Sequence, residues 1–236
     1  MTNKNLLLFG SESQVCKDYV MRYKDCYENI VGIDLPSESS YLKTYLSVDY
    51  RSEESFKKIE LFLVDQNKTY SHVVFAAGIN FLNDSFGITE QEWNMTFDVN
   101  VKAALFSLKV SFNYFMKKTA IVLIASQNGV VAHERRIDYG TSKAALIHLA
   151  KNLSLDYAKL TDKDIRINTI SPSYIKTDNN KELLDSYIGK RLLARIPYHK
   201  FISLEDVSNS IHFLLSDYSQ SIRGHNLILD NGYTIV

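Results

Sequence analysis

Short apolar runs recur along the whole chain and alternate with longer stretches in which apolar residues return every three or four positions. The short runs are nearly continuous rather than alternately apolar and polar, which predicts strands that are covered on both faces of a sheet. The runs are Asn5–Phe9, Ile30–Asp34, His72–Ala76, Ala120–Ala125, Ile165–Ile170 and Asn226–Asp230, with Tyr45–Val48 as a further candidate.

Three of the longer stretches carry helix signals. Thr89 and Glu92 form the Thr-x-x-Glu pattern of a capping box, and Ser52 and Ser203 precede the other two stretches. The apolar positions that share a helix face are Phe56, Ile59 and Leu63, then Trp93, Phe97, Val101 and Leu105, and finally Val207, Ile211 and Leu214.

This alternation of strands and helices predicts an α/β fold with a parallel sheet and right-handed crossovers. With three prolines, nine glycines and no linker-like segment or repeat in 236 residues, we expect one domain over residues 1–236. A barrel of eight strand–helix units is the alternative at this length, and the placement of the motifs below argues against it.

Composition narrows the class of protein. Lys and Arg total 27, as do Asp and Glu, so no global basic field attracts nucleic acid or an anionic membrane. The longest apolar runs, 73–79 and 120–125, fall well short of the ~18 residues that a membrane span needs. The N-terminus is too weakly apolar for a secretory signal, and two cysteines make neither a disulfide framework nor a metal cluster. We therefore expect a soluble cytoplasmic protein without a metal, a nucleic acid partner or a membrane partner.

Tyr139 and Lys143 are the first candidate catalytic pair. Residues four apart on a helix are neighbours, so the phenol and the ammonium face the same way. A nearby cation is expected to lower the pKa of the phenol, which makes it a usable acid or base. With 15 tyrosines in the chain, this spacing also arises by chance, and the motif alone does not decide.

Two further polar residues give the pair a context. Ser126 follows the predicted strand that ends at Ala125, where open α/β sheets place their ligand-binding groups. Asn100 lies in the apolar helical stretch after Thr89, where a buried amide needs hydrogen-bond partners and is either structural or part of a water relay.

In order and spacing, Asn100, Ser126, Tyr139 and Lys143 resemble the catalytic tetrad of the short-chain dehydrogenase/reductase family. The resemblance covers nearly the whole chain and is strongest to the branch that resembles 3-oxoacyl-carrier-protein reductases. The other matching segments are Phe75-Ala-Ala-Gly78, Arg166-Ile-Asn-Thr-Ile-Ser-Pro172, Ile175-Lys-Thr177, Ile196-Pro197, Glu205-Asp206-Val207, Phe213-Leu-Leu-Ser216 and Gly224 to Gly232.

The resemblance implies a Rossmann-type doubly wound sheet, with helices on both faces, and a nicotinamide cofactor. Tyr139 would transfer the substrate proton, Ser126 would polarise the carbonyl, Lys143 would hold the ribose and Asn100 would anchor a relay water. The implied substrate is a small carbonyl compound or alcohol, and the implied assembly is a homotetramer or homodimer. The implied cofactor contacts are Gly10, Ser13, Asp34, Asp49, Tyr50, Ala76, Gly78, Tyr139, Lys143, Pro172, Ile175 and Thr177.

The glycine-rich turn departs from the family pattern Thr-Gly-x-x-x-Gly-x-Gly. Gly10 keeps the first glycine, whereas Gln14 and Cys16 replace the other two. We expect Gln14 to place a side chain near the cofactor pyrophosphate, and Cys16 to be tolerated because a small sulfhydryl packs against a strand. Ala76 and Ser173 are smaller departures, since they replace an asparagine and a glycine that are common in the family.

Asp34 ends the second predicted strand, where a carboxylate accepts hydrogen bonds from the adenosine ribose. That charge repels a 2′-phosphate, and Glu12 adds a second one without an Arg or Lys at 11–14 or 35–40 to balance it. The sequence therefore predicts that NAD is favoured over NADP.

The substrate side is less readable. Arg135 and Arg136 form either a solvated loop or a grip for a substrate carboxylate or phosphate, and His133 reads as a surface residue. Tyr174, Tyr187 and Tyr198 either line a pocket or pack the segment that covers it. The incomplete glycine turn keeps a second hypothesis open, in which the chain is a catalytically lapsed subunit with a structural or regulatory role.

Overall fold

The computed structural model describes residues 4–177 and 180–236 and contains one parallel sheet of seven strands. Every neighbouring pair of strands is parallel, in the order β3-β2-β1-β4-β5-β6-β7. The strands are β1 (Asn5–Phe9), β2 (Asn29–Asp34), β3 (Thr44–Ser47), β4 (Tyr70–Phe75), β5 (Phe115–Ile124), β6 (Asp164–Pro172) and β7 (Asn226–Leu229). The predicted parallel sheet is confirmed, and because its two edges are open it is not a barrel.

Eight α-helices connect the strands within the described residues. They are α1 (Gln14–Tyr23), α2 (Ser55–Gln66), α3 (Glu90–Phe97), α4 (Ala103–Ser111), α5 (Ile137–Tyr157), α6 (Lys181–Asp185), α7 (Tyr187–Ala194) and α8 (Leu204–Leu215). The capping box at Thr89 is present, and Ser203 forms a second one with Asp206. One π-helical turn, Asp98–Lys102, joins α3 to α4, so the long helix predicted after Thr89 is interrupted there.

Both faces of the sheet are covered by helices. Alternate residues of each central strand point to opposite sides, which is why the strands read as continuous apolar runs. In β1, Leu7 and Phe9 pack with α2, α4 and α5, whereas Leu6 and Leu8 pack with α1 and α8. This two-layer cover confirms the doubly wound architecture.

The face that α3 and α4 turn toward the core differs from their most apolar stripe. Trp93, Phe97, Val101 and Leu105 are only half-buried, and Trp93 stacks on Phe97 with ring centroids 4.8 Å apart. The buried face instead carries mostly small and polar residues, namely Thr96, Asn100, Ala103, Ala104 and Ser107, together with Val99 and Leu108.

The turn after β1 lies at the point where the strand order reverses, between β2 and β4. Gly10 has φ +75°, and a Cβ there would lie 2.2 Å from the Ala77 nitrogen. Gly10 is therefore required both by its backbone conformation and by the close passage of the chain that leaves β4. Open α/β sheets bind ligands at this position, outside the carboxyl ends of the strands.

Arg166 connects β6 to the end of α8. This β6 residue is buried, and its guanidinium donates to the carbonyl oxygens of Leu214, Ser216 and Ser219, which follow or end α8. These hydrogen bonds satisfy carbonyl groups at the end of α8 and hold that end of the helix against the sheet. The Arg166 segment of the family motif thus has a structural role here.

Candidate active site

Ser126 and Tyr139 meet at the carboxyl end of β5. The Ser126 hydroxyl accepts a hydrogen bond from the Asn128 amide at 3.2 Å, which caps the short turn Gln127–Gly129. Tyr139 lies in the first turn of α5, and its phenol lies close enough to the Ser126 side chain for Ser126 to lower the pKa of that phenol. Two groups predicted from the sequence to act on one substrate oxygen are therefore adjacent.

Two glycines allow this approach. A Cβ at Gly129 would lie 2.7 Å from the Ala144 nitrogen, and a Cβ at Gly140 would lie 2.9 Å from the Asn128 carbonyl oxygen. The turn after β5 therefore rests backbone to backbone on the start of α5. Any larger residue at either position would push Ser126 away from Tyr139.

Lys143 is buried one helical turn beyond Tyr139. Its ammonium donates to the Ile124 carbonyl oxygen at 2.9 Å and lies 5.6 Å from the centroid of the Tyr139 ring. Burial lowers the pKa of Lys143 to about 8. A Cβ at Gly78 would come within 3.2 Å of Nζ, so Lys143 borders the chain that leaves β4.

The expectation that Tyr139 has a lowered pKa is wrong. Burial raises the pKa of the Tyr139 phenol, and the neighbouring Ser126 side chain and the charge of Arg136 offset only part of that effect. Lys143 directs its ammonium to Ile124 rather than to the phenol. Desolvation is thus the dominant influence on Tyr139.

Asn100 lies in the π-helical turn and is fully buried. Its side-chain oxygen accepts from the Ile79 amide at 2.8 Å, and its nitrogen donates to the Ile79 carbonyl at 3.0 Å and to the Ser142 hydroxyl at 2.9 Å. Ser142 in turn donates to the Tyr139 carbonyl oxygen at 2.7 Å. The Asn100 amide thus joins the exit of β4 to α5, and its relay role stays a prediction.

A cavity of about 460 Å³ opens beside these residues, at the carboxyl ends of β1, β2 and β4. It brings together seven of the predicted cofactor contacts: Gly10, Ser13, Asp34, Asp49, Tyr50, Ala76 and Gly78. Met95 and Val99 also line the cavity and were not predicted from the sequence. Their four-residue spacing is a helical signal, but the more apolar positions that begin at Trp93 indicate a different buried face for this helix.

The incomplete glycine turn forms a regular start to α1. Ser13 caps the helix by accepting a hydrogen bond from the Cys16 amide at 3.3 Å, and Cys16 is buried among the residues that pack α1 on the sheet. Among the described residues, Glu12 and Ser13 line the cavity, and Gln14 does not. Nothing in this lining supports the expectation that Gln14 obstructs the pyrophosphate.

Asp34 faces the same cavity from the end of β2. Its two carboxylate oxygens accept hydrogen bonds from the Glu12 and Leu35 amides, each at 2.7 Å. Burial raises its pKa, and these two bonds counter that effect only in part. Each oxygen keeps a lone pair for a further donor.

The interpretation of Glu12 as an unbalanced charge is wrong. Its carboxylate forms an ion pair with Lys17 at 2.8 Å, and Ser39 and Ser40 donate to it at 2.6 and 3.1 Å. Burial raises the pKa of Glu12, but these hydrogen bonds outweigh burial and lower it. The balancing cation is Lys17, which lies one helical turn beyond the segment 11–14.

A second ion pair lines the cavity just after β3. Asp49 binds Arg51 through two nitrogens, with a shortest distance of 2.6 Å. Tyr50 is buried, and its hydroxyl donates to the Ile33 carbonyl oxygen at 3.4 Å. Arg51 was not predicted as a cavity residue.

The last predicted contacts lie at the end of β6, next to the strand that carries Ser126. Pro172 ends β6, Ile175 pairs with Ile202, and the Thr177 amide donates to the Asn180 side chain at 2.8 Å. Among the described residues, they are not part of the lining of the 460 Å³ cavity.

The two arginines after Ser126 differ in their contacts. Arg135 has φ +58° and donates to the Leu82 carbonyl oxygen at 2.9 Å, which is a structural role. The Arg136 Nε is buried without a hydrogen-bond partner among the described residues. His133 shares a 2.7 Å hydrogen bond with Tyr174, whereas Tyr187 and Tyr198 are exposed.

The described residues contain neither a membrane-spanning helix nor a metal-binding cluster. No helix there combines the length and apolar character needed to cross a bilayer. No group of three or more His, Cys, Asp or Glu side chains there is arranged to hold a metal ion.

Comparison with known proteins gives consistent matches. Residues 35–234 match a family model described as enoyl-(acyl carrier protein) reductase. The chain is similar to an NAD-dependent glycerol dehydrogenase of Listeria innocua, with 29% identity over 248 residues covering 100% of this chain and 95% of the relative. Two similar solved structures each align over 100% of both chains. They are a short chain dehydrogenase family protein from Francisella tularensis (23% identity, TM-score 0.88) and ElxO with NADP bound (26% identity, TM-score 0.86).

Proposed function

The chain belongs to the short-chain dehydrogenase/reductase family of oxidoreductases, and from that premise we propose that it transfers hydride between NAD(H) and a small carbonyl compound or secondary alcohol. The observation that carries the proposal is the placement of the Tyr139 phenol beside the Ser126 side chain, with Lys143 buried next to the ring. No structural need brings these three side chains together at a strand end.

The residues present fit a dinucleotide. Gly10 lets the turn after β1 pack against the chain that leaves β4 at the cavity wall. The capped start of α1 offers free N–H groups to a pyrophosphate, and Asp34 has lone pairs for two ribose hydroxyls. Gly78 leaves the passage from this cavity to Lys143 free of a side chain. A bound nicotinamide would supply the hydride acceptor or donor.

The chain's own groups would then handle the proton. In alcohol oxidation, the Tyr139 phenolate oxygen would accept the proton of the substrate hydroxyl, and in reduction the Tyr139 hydroxyl would donate its proton to the carbonyl oxygen. Ser126 holds that oxygen by a hydrogen bond. Lys143, as an ammonium, stabilises the phenolate form of Tyr139 and holds the ribose, while Asn100 keeps α5 aligned with the cavity wall.

NAD is the proposed cofactor because Asp34 would face the 2′-phosphate of NADP. The Listeria relative is NAD-dependent by name, which supports this choice, whereas ElxO has been solved with NADP. The charge of Glu12 does not favour NAD over NADP, because Lys17 balances it. We also propose that the enzyme works in the cytoplasm, without nucleic acid or membrane partners.

The test is a titration of the protein with NADH and NADPH at one ionic strength, followed by a screen of secondary alcohols, keto acids and sugar derivatives. We expect tighter NADH binding and turnover of at least one substrate. Tight NADH binding without turnover of any substrate would favour the alternative of a catalytically lapsed subunit. Absence of binding to either cofactor would contradict the proposed function.

A further inference from the structure

The side chain of Glu12 holds the turn after β1 in place. The Glu12 side chain is only 10% exposed, although it belongs to a turn that borders a cavity. Lys17, Ser39 and Ser40 satisfy its carboxylate, and these four residues are called the Glu12 cluster below. A buried carboxylate is stable only when it is paired and hydrogen-bonded in this way.

The cluster joins two segments that are distant in the sequence. The Ser39 hydroxyl, which donates to Glu12, also accepts from the Leu42 amide at 3.0 Å, so it organises the loop after β2 at the same time. In the same loop, the Tyr41 hydroxyl donates to the Ser11 carbonyl oxygen at 2.5 Å. The loop after β2 therefore holds the turn after β1 from the outside.

The backbone of Glu12 provides the link to the cavity. Its amide donates to Asp34 at 2.7 Å, and Asp34 is the carboxylate that faces the adenosine ribose site. Movement of Glu12 would therefore move Asp34 as well. In the family pattern, the conformation of this turn depends on three glycines, two of which are absent here.

We propose that Glu12 is a positioning residue for the adenosine half of the dinucleotide, and that its cluster holds the turn in the shape that the missing glycines provide elsewhere. This inference rests on the proposed function, because it concerns the same cofactor site. Glu12 acts through its neighbours and does not touch the reacting atoms.

Glu12→Gln tests the proposal, because it keeps the shape of the side chain and removes the charge that Lys17, Ser39 and Ser40 satisfy. We expect NADH and ADP-ribose to bind about tenfold more weakly, the usual worth of hydrogen bonds to a charged group. Glu38→Gln is the matched control, since Glu38 lies exposed in the same loop and the same charge is lost. It should bind both ligands like the parent protein.

A second pair of changes separates positioning from folding. Ser39→Ala and Ser40→Ala each remove one donor to Glu12 and keep the ion pair with Lys17. Both should weaken ADP-ribose binding, and the melting temperature of Ser40→Ala without ligand should equal that of Glu38→Gln, because the Ser40 hydroxyl bonds to Glu12 and does not hold the loop as Ser39 does. Once a substrate is known, the KM for NADH should rise and kcat should stay unchanged.

The outcomes distinguish this inference from the proposed function. If the parent protein binds neither NADH nor ADP-ribose, the proposed function fails. If the parent binds both, but Glu12→Gln and the serine variants bind as tightly as Glu38→Gln, the positioning role is wrong. Weaker binding that is matched by an equal loss of ligand-free stability in every variant would also overturn it, because Glu12 would then be only structural.

Discussion

Tyr139 is the residue at which the proposed chemistry is most directly testable. Tyr139→Phe keeps the ring against Lys143 and removes only the hydroxyl that meets Ser126. We expect NADH binding to change little and turnover to fall by ~10²–10⁴, the usual contribution of general acid–base catalysis. Tyr218→Phe, at an almost fully exposed tyrosine, is the control. Full activity in Tyr139→Phe would remove the proposed mechanism.

Asp34 should make NADH binding depend on pH. Burial raises its pKa above the ordinary aspartate value, and ribose hydroxyls donate to the ionised form. Affinity for NADH should therefore fall as the pH falls through this raised pKa. The fall should begin at a higher pH than it would with an exposed aspartate at this position. Calorimetric titration between neutral and acidic pH measures the effect.

Asp34→Ala is the comparison for that titration. It should flatten the pH dependence and narrow the gap between NADH and NADPH, because the repulsion of the 2′-phosphate is lost. An unchanged preference for NADH in this variant would show that another residue selects the cofactor.

At the scale of elements, α1 shows how the turn tolerates the loss of glycines. Cys16 is fully buried and packs on the sheet where the family pattern has its third glycine. Cys16→Gly should lower the free energy of unfolding by about 1–3 kcal/mol, through the helix propensity of glycine and the space left behind. Urea denaturation measures this, with Cys26→Ala at an exposed cysteine as the control. Greater stability in Cys16→Gly would mean that the cysteine strains the helix.

The strands were predictable because burial on both faces leaves a continuous apolar run. Ser126, Tyr139 and Lys143 could be picked out because their order and spacing resemble the catalytic tetrad of the family, whereas the helical spacing of Tyr139 and Lys143 also arises by chance. The π-helical turn at Asn100 and the contacts of Glu12 were not readable. Ser39 is 27 positions from Glu12, and its contact depends on how a loop folds back. Similarly, the pKa of Tyr139 depends on burial, which the motif does not specify.

At the scale of the whole molecule, the half-exposed stripe on α3 and α4 needs a cover. Trp93, Phe97, Val101 and Leu105 are partly exposed apolar side chains, and exposed apolar residues are common at interfaces. We therefore expect the homotetramer or homodimer that the family resemblance implies, with α3, α4 and α5 at one interface, and α8 with β7 at the other in a tetramer. Light scattering over a dilution series should report four or two times 27.1 kDa. A mass of one chain at all concentrations would contradict this.

The buried ammonium of Lys143 has a thermodynamic consequence for the protein as a whole. Its folded pKa of about 8 lies below the value of about 10.4 in an unfolded chain, so the unfolded state binds the proton more tightly. At neutral pH this mismatch costs on the order of 3 kcal/mol of stability, and the cost disappears as the pH rises from about 8 to 10. Replacing Lys143 with an apolar residue of similar length should recover much of that energy and, under the proposed mechanism, abolish catalysis. The fold would then give up stability to keep a charge beside Tyr139, where the proposed reaction needs it.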